Sequence, residues 1–218
     1  MRFYHWLTAL LFPPKCVLCG KLLESQELDL CKFCRMEAPV YPNRKRNLQF
    51  LDSFTAVWYY EENVRKSLLR FKFYGKRHYA KSYGRFLAMA IDKELRDGYD
   101  LLTWIPVSTL RRLRRGYDQV ELLAKAVGQE LGTTPVPTLK KIRHNRSQSG
   151  ITSPAQRKAN VLGVYQCLSP ELVRGKRGLL LDDILTTGAT ASEAARVLKT
   201  MGAKEVHCAA MAASRKES

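Results

Sequence analysis

The segment GLLLDDILTTGAT, residues 178–190, combines two adjacent carboxylates with a cluster of hydroxyl side chains. An apolar run, which predicts a buried strand, leads directly into Asp182 and Asp183. The turn that follows consists of Thr186, Thr187, Gly188, Ala189 and Thr190. Gly188 can adopt a positive φ, so consecutive backbone N–H groups of the turn can converge at the positive end of the next helix. We therefore predict that residues 186–190 form a phosphate-binding loop.

The two carboxylates need a different target, because negative charges directly beside a phosphate would repel it. Sugar hydroxyls donate hydrogen bonds to carboxylates, and Mg²⁺ also binds carboxylates. A phosphorylated ribose therefore matches both the acidic pair and the loop. Asp182 and Asp183 are accordingly the candidate catalytic residues as well as ligand-binding residues. An ordinary strand–turn–helix with an acidic N-cap would explain Asp183 alone. An NTPase could also use an acidic pair, but neither G-x-x-x-x-G-K-[ST] nor G-x-G-x-x-G accompanies this one.

Four of the six cysteines form the pairs CVLC and CKFC within residues 16–34. Cys16 with Cys19, and Cys31 with Cys34, can each present two thiolates to one tetrahedral ion, and the intervening residues can form a hairpin. Disulfides or free thiols are the alternative, but disulfides are uncommon in a chain without an export signal. Four sulfur ligands leave no open position, so we predict a structural Zn²⁺. Cys167 and Cys208 lie in strand-like stretches outside this segment and are predicted to be buried thiols.

Strands and helices alternate along the rest of the chain. SFTAVWYY and LLTWIPV are rich in strand formers, and a helical pattern runs from about Tyr79 to Arg96. Asp118 can cap a second helix that Gly132 ends, and a third covers residues 190–201. This order predicts an α/β fold, a parallel sheet flanked by helices with ligands at the carboxyl ends of its strands. The basic segment YPNRKRN, residues 41–47, predicts a linker between an N-terminal module, residues 1–45, and a main domain, residues 48–218.

The charge balance favours phosphate-bearing partners, because 37 Lys and Arg outnumber 20 Asp and Glu and leave a formal net charge of +17. Residues 65–85 interleave basic and aromatic side chains, a pattern that suits single-stranded nucleic acid, although Leu68, Leu69 and Phe71 or Phe73 are also needed for a core. The apolar run from Trp6 to Phe12 is short and predicts a docking helix. No segment approaches the length of a membrane span, so we expect a soluble, cytoplasmic protein.

LLLDDILTTGAT resembles the phosphoribosyl-pyrophosphate signature of type I phosphoribosyltransferases, and the rest of the chain resembles the ComF/GntX family. That family joins an N-terminal cysteine zinc module to such a domain. It also carries an Arg-Gly-aromatic-Asn/Asp-Gln run, here RGYDQ at residues 115–119, and a later R-x-x-N-x-x-G segment, here Arg157, Asn160 and Gly163. Asp118 replaces the commoner Asn, and Val164-Tyr165 replaces Ala-Phe. The resemblance implies a type I phosphoribosyltransferase-like sheet with a small four-cysteine zinc ribbon.

The resemblance also implies roles for the basic segments. The turn after WIPV would face the pyrophosphate, and Ser108, Arg111, Arg112, Arg114 and Arg115 crowd it. One pyrophosphate does not need four guanidinium groups. Our candidates are Ser108 and Arg115, and Arg115 is chosen because it lies inside the matching run. Residues 140–158 fall where type I enzymes carry a mobile loop that closes over substrate, and His144 is a possible proton donor there.

Two classes of function follow from the resemblance. The first is a phosphoribosyltransferase-like protein that binds phosphoribosyl pyrophosphate with Mg²⁺ and acts in natural competence and DNA uptake. The second is a non-catalytic adaptor that binds single-stranded DNA or a competence DNA-translocation protein and uses the phosphoribosyl site only to sense a ligand. The sequence contains no identifiable base-recognition motif, so it does not predict an acceptor.

Overall fold

The computed structural model describes residues 13–42, 47–95, 98–143 and 162–215. Several sequence predictions lie outside these ranges: the helix at residues 6–12, His144, Arg157, Asn160 and most of the segment 140–158. The basic part of the expected linker, residues 43–46, also lies outside them.

A four-stranded parallel sheet forms the centre of the protein, with the strand order β1-β6-β5-β2. Its strands are β1 (Ser53–Tyr59), β2 (Leu101–Trp104), β5 (Arg177–Leu185) and β6 (Glu205–Ala213). The two central strands, β5 and β6, are buried along nearly their whole length, which explains why they read as continuous apolar runs rather than alternating ones. The predicted α/β fold with a parallel sheet is therefore confirmed.

Helices cover both faces of the sheet. They are α1 (Lys32–Glu37), α2 (Glu62–Phe73), α3 (Tyr79–Leu95), α4 (Thr109–Arg115), α5 (Gln119–Leu131), α6 (Pro170–Val173) and α7 (Ala189–Thr200). One apolar core joins α2, α3 and α5 to one face, and a second joins α6 and α7 to the other. Among the described residues, no helix combines the length and the apolar character that a bilayer crossing requires.

Helix α5 shows how the local sequence sets these elements. The side chain of Asp118 accepts hydrogen bonds from the N–H groups of Val120 and Glu121, and Gly132 ends the helix with a φ of +65°. The apolar positions Val120, Leu123, Ala124 and Val127 are buried, as their helical spacing predicts. The Glu121 carboxylate contacts Lys125 on the solvent side.

A small antiparallel ladder pairs β3 (Leu139–Lys141) with β4 (Tyr165–Cys167) beside the main sheet. This ladder was not predicted from the sequence. Three-residue strands carry too little periodicity to reveal their partners, and the pairing bridges residues that lie far apart in sequence. Cys167 in β4 is only partly buried, whereas Cys208 in β6 is fully buried as predicted.

The cysteine-rich segment packs directly on the helices of the main domain. Val17 and Leu18 share a core with Leu68 and Phe71 of α2 and with Tyr83 of α3. Polar contacts support this packing. The Ser67 hydroxyl donates to the Val17 carbonyl, Arg70 donates to the Val17 and Leu18 carbonyls, and Asp29 accepts from Ser82 and Arg85. The N-terminal segment and the main domain therefore share one continuous apolar core.

Candidate functional site

The acidic pair lies where β5 extends beyond its neighbour β2. Strand β2 ends at Trp104, which is aligned with Leu181, so within the described part of the chain no strand pairs with Asp182 or Asp183 on that side. Strand β5 itself continues to Leu185, two residues further than the sequence indicated. The two carboxylates are 9% and 5% exposed, and because successive strand residues face opposite sides of a sheet, they meet different surroundings.

Asp183 faces α2 and α5. Its Oδ2 atom accepts a hydrogen bond from the Gln119 Nε2 at 2.9 Å and lies 3.1 Å from the Lys72 Nζ. Burial alone would raise the pKa of Asp183, but the Lys72 charge and the Gln119 hydrogen bond outweigh burial and lower it. Asp183 is therefore held in its ionised form.

Asp182 faces the other side of the sheet, near Lys141 of β3 and Tyr165 of β4. Burial, together with the neighbouring charge of Asp183, raises its pKa well above the ordinary value. One oxygen of Asp182 accepts a hydrogen bond from the Asp183 N–H at 2.8 Å. The pair thus has one ionised and one readily protonated carboxyl group.

Lys141 is a further cation beside the acidic pair. Burial lowers its pKa to about 8, and the charges of Arg111 and Lys72 act in the same direction, whereas Asp182 opposes them. The ammonium group lies 5.4 Å from the centre of the Tyr165 ring. An amine in this position changes its charge close to neutral pH.

The predicted phosphate loop connects β5 to α7. Gly188 has a φ of +78° and is the residue that precedes the helix. Its carbonyl accepts from the Ser192 N–H at 2.8 Å, while the Thr187 hydroxyl accepts from the Ala189 N–H at 3.4 Å. A Cβ on Gly188 would lie 2.5 Å from the Leu48 Cδ2, so a side chain here is disfavoured by the backbone and by its neighbour. Gly188 therefore has the positive φ that the sequence predicted, whereas phosphate binding by residues 186–190 stays a prediction.

Ser108 follows β2 and begins α4. It is 5% exposed, and its hydroxyl accepts from the Arg111 N–H at 3.4 Å. The turn is held by Asp118, whose Oδ2 accepts from the Val107 N–H at 2.9 Å while its other oxygen caps α5. Burial raises the pKa of Asp118 despite these hydrogen bonds. Asp118 therefore fixes the turn after β2 against the start of α5.

The run RGYDQ at residues 115–119 connects this turn to the acidic pair. The Arg115 guanidinium donates to the Gln119 Oε1 at 2.9 Å and stacks 4.7 Å from the centre of the Phe73 ring. The Tyr117 hydroxyl donates to the Phe71 carbonyl of α2. Gln119 in turn donates to Asp183, so Arg115 and Asp183 contact the two ends of one side-chain amide.

The four arginines of α4 differ in exposure. Arg111 and Arg115 are half-buried, and both influence the pKa values of groups in the site. Arg112 and Arg114 are exposed. The choice of Arg115 stays a prediction, and the structure adds Arg111 as a second cation near the acidic pair.

Sequence reasoning missed Lys72, Gln119 and Lys141 as members of the site. Gln119 belongs to a run that the family resemblance had singled out, so its position carried a usable signal. Lys72 looked like one cation among many in the basic segment 65–85. Its proximity to Asp183 depends on how α2 packs, and one sequence does not reveal that.

The four cysteines of the ribbon form a compact group. Their Sγ atoms all lie within 4.8 Å of one another, and those of Cys19 and Cys31 are 3.7 Å apart. A tetrahedral Zn²⁺ with Zn–S distances of about 2.3 Å places its sulfur ligands roughly 3.8 Å apart. The Cys34 N–H points at the Cys31 Sγ, 3.5 Å away, at the start of α1. Cys16, Cys19, Cys31 and Cys34 therefore fit a structural zinc site.

Comparison with known families matches both parts of the chain. Residues 114–218 match the phosphoribosyl transferase domain, and residues 7–45 match the double zinc ribbon domain. Competence protein F of Haemophilus influenzae is 23% identical over 215 residues, covering 88% of this chain and 93% of that protein. The chain belongs to the ComF family.

Two further relatives of this ComF-family chain are also named as competence proteins. Competence protein ComFC of Bacillus subtilis is 27% identical over 190 residues, covering 86% of this chain and 72% of the relative. Competence protein ComFC of Streptococcus pneumoniae is 31% identical over 154 residues, covering 71% and 65%. Among solved structures, the glutamine phosphoribosylpyrophosphate amidotransferase of B. subtilis aligns with a TM-score of 0.44 at 21% identity. The alignment covers 66% of this chain and 30% of the amidotransferase.

Proposed function

We propose that this ComF-family chain binds phosphoribosyl pyrophosphate together with Mg²⁺. In this proposal Asp182 and Asp183 hold the ribose hydroxyls, the loop of residues 186–190 holds the 5-phosphate, and Ser108 with Arg115 holds the pyrophosphate. Bound Mg²⁺ would neutralise part of the diphosphate charge.

The charge distribution around the acidic pair carries the proposal. Two cations, Lys72 and Arg115, lie on the Asp183 side, and two more, Arg111 and Lys141, lie on the Asp182 side. Lys72 and Gln119 lower the pKa of Asp183, whereas burial and the charge of Asp183 raise the pKa of Asp182. A polyanionic ligand suits this concentration of basic side chains around the acidic pair. The threonine-rich loop at the start of α7 offers a phosphate position beside them.

Calorimetry with phosphoribosyl pyrophosphate and Mg²⁺ tests the ligand assignment. Asp183→Asn removes a charged acceptor of the ribose hydroxyls and should weaken binding about 10- to 100-fold. Thr187→Ala removes a neutral hydroxyl from the loop and should weaken it about fivefold. Asp92→Asn and Thr134→Ala make the same chemical changes at exposed positions away from the site and should bind as the wild type does. Equal affinities in all five proteins would contradict the assignment of this ligand to the site.

We further propose that the ligand site serves DNA uptake at the cytoplasmic face, because relatives over most of the chain are named competence proteins. As an enzyme, the protein would transfer phosphoribose to an acceptor, with Mg²⁺ and the arginines stabilising the departing diphosphate. Incubation with labelled phosphoribosyl pyrophosphate and a panel of nucleobases and single-stranded oligonucleotides tests this through pyrophosphate release. Release that requires both Asp183 and one acceptor supports a transferase, whereas binding without turnover supports an adaptor.

An exposed aromatic and basic surface favours single-stranded DNA as a partner in the adaptor alternative. Phe73 and Tyr74 are 56% and 71% exposed at the end of α2, and Lys76 and Arg77 follow them on the surface. Bases can stack on such rings while the cations contact phosphates. Tyr74→Ala should weaken oligonucleotide binding about fivefold or more, given roughly 1–3 kcal/mol for each stacked base. Met89→Ala, which removes an equally exposed apolar side chain from α3, should leave binding unchanged.

A further inference from the structure

Lys72 lies at the centre of the candidate site, and none of the recognised sequence patterns gives it a role. It is the second-last residue of α2, and its Nζ lies 3.1 Å from the Asp183 Oδ2. The same oxygen accepts a hydrogen bond from the Gln119 Nε2 at 2.9 Å. Two donors therefore occupy one oxygen of the carboxylate that the proposed function assigns to ribose hydroxyls.

The two donors differ in how readily they can leave. Gln119 is 1% exposed, and its other amide atom is held by the Arg115 guanidinium at 2.9 Å. The Lys72 side chain is 25% exposed, against 7% for that of Asp183, and its ammonium group sits on a flexible four-carbon chain. A hydroxyl that approaches Asp183 can therefore displace Lys72 more readily than Gln119.

Charge supports the same conclusion. A buried carboxylate without a partner is strongly unfavourable, so Asp183 needs a cation when no ligand is bound. Once a ribose hydroxyl donates to Asp183, that need is smaller, and a diphosphate close by offers the lysine a stronger partner. A diphosphate carries more negative charge than one carboxylate, and its oxygens accept charge-assisted hydrogen bonds from an ammonium group.

We propose that Lys72 is an exchangeable counter-ion: it neutralises Asp183 in the ligand-free protein and moves to the diphosphate of the bound ligand. This inference rests on the proposed binding of phosphoribosyl pyrophosphate. In this proposal Lys72 weakens the binding of one part of the ligand and strengthens the binding of another. Lys72 competes with the ribose hydroxyls for Asp183, and it binds the diphosphate.

Ribose 5-phosphate and phosphoribosyl pyrophosphate separate these two effects, because they differ at C1, which carries a hydroxyl in the first and the diphosphate in the second. Calorimetry at physiological salt should show that Lys72→Gln binds phosphoribosyl pyrophosphate with Mg²⁺ about tenfold more weakly than the wild type, as expected for loss of one charged contact. The same variant should bind ribose 5-phosphate as tightly as the wild type or more tightly. Lys72→Arg keeps the charge and should restore most of the affinity for the diphosphate ligand. Lys66→Gln, an exposed lysine of the same helix, is the matched control and should change neither affinity.

The outcomes distinguish the possible failures. Equal weakening toward both ligands in Lys72→Gln and Lys72→Arg would mean that Lys72 only holds Asp183 in place, and it would overturn the exchange. Unchanged affinity for both ligands would overturn it as well, while the proposed function would stand. A wild-type protein that binds neither ligand would overturn both proposals. Circular dichroism and zinc content of each variant verify that the fold is intact, and Lys72→Met provides a second neutral variant if Lys72→Gln does not fold.

Discussion

Asp182 and Asp183 are consecutive residues whose environments move their pKa values in opposite directions. Burial beside a second carboxylate raises the pKa of Asp182, whereas Lys72 and Gln119 lower that of Asp183 despite burial. Adjacent groups with different protonation can accept hydrogen bonds at one position and donate at the other. The same environment leaves Lys141 with a pKa of about 8.

Ligand affinity should consequently depend on pH through Lys141. A bound diphosphate favours the charged amine, so the pKa of Lys141 is higher in the complex than in the free protein. Affinity is then greatest below the free-state pKa and falls as the pH rises above about 8, by at most about tenfold per pH unit. Dissociation constants measured between pH 7 and pH 9 check this.

Lys141→Arg supplies the control for the pH effect, because arginine stays charged throughout the range. Its affinity should be nearly constant between pH 7 and pH 9. The groups that act on the charge of Lys141 are Arg111, Lys72 and Asp182, and all three are retained in this variant. Identical pH profiles for the two proteins would show that another group is responsible.

Only some of the site residues could be predicted from the sequence. The acidic pair and the threonine loop stand together in one segment, so residue types and local spacing were sufficient to nominate them. Lys72 and Lys141 reach the pair from α2 and from β3, through packing that spans about 40 to 110 residues of chain. One sequence contains no local signal for such contacts.

Among the elements, the loop before α7 depends on its glycine. Gly188 combines a φ of +78° with close packing against Leu48. Gly188→Ala should destabilise the protein by about 1–2 kcal/mol, the cost of a left-handed conformation for a residue with a Cβ. Because the loop must shift to relieve that strain, ligand affinity should fall as well. Thermal unfolding and calorimetry measure the two effects.

Gly132→Ala separates backbone strain from the role of the loop. Gly132 has a similar φ of +65°, but nothing lies within 4 Å of the position that a Cβ would occupy. This variant should lose comparable stability yet bind the ligand normally. A Gly188→Ala protein with wild-type affinity would show that the backbone form of the loop is not needed for binding.

The elements that sequence predicted best are those with strong local signals. Helix α3 begins at Tyr79 as expected, and α5 is bounded by its Asp118 cap and Gly132. The β3–β4 ladder was missed, because each strand is three residues long and its partner is distant in sequence. Strand β5 runs two residues beyond the expected end, because its pairing with β6 continues to Leu185.

At the scale of the whole molecule, the zinc ribbon and the phosphoribosyl transferase domain share one apolar core. Val17 and Leu18 pack on Leu68, Phe71 and Tyr83, so an unfolded ribbon would expose these side chains. Purified protein should contain about one Zn²⁺ per chain. Replacing Cys16 and Cys31 together by serine should abolish zinc binding and lower the unfolding temperature of the entire chain in a single transition.

Cys167→Ser is the matched control for that variant, since Cys167 lies in β4 away from the ribbon. It should retain its zinc and unfold close to the wild-type temperature. A metal-free protein that stays folded would refute the closed four-cysteine site. Two separate unfolding transitions in the cysteine variant would instead show that the ribbon melts without affecting the domain.

The ribbon and the helices contribute different kinds of polar group to their contact. The ribbon offers mainly backbone carbonyls, those of Val17 and Leu18, whereas the helices supply the side chains of Ser67 and Arg70. Any residue type provides a carbonyl, so these hydrogen bonds by themselves do not restrict the residue type at the ribbon positions that accept them. Mutational tolerance should accordingly be high at the exposed ribbon positions and low at the buried Val17, Leu18 and Asp29, as well as at the helix positions Ser67 and Arg70.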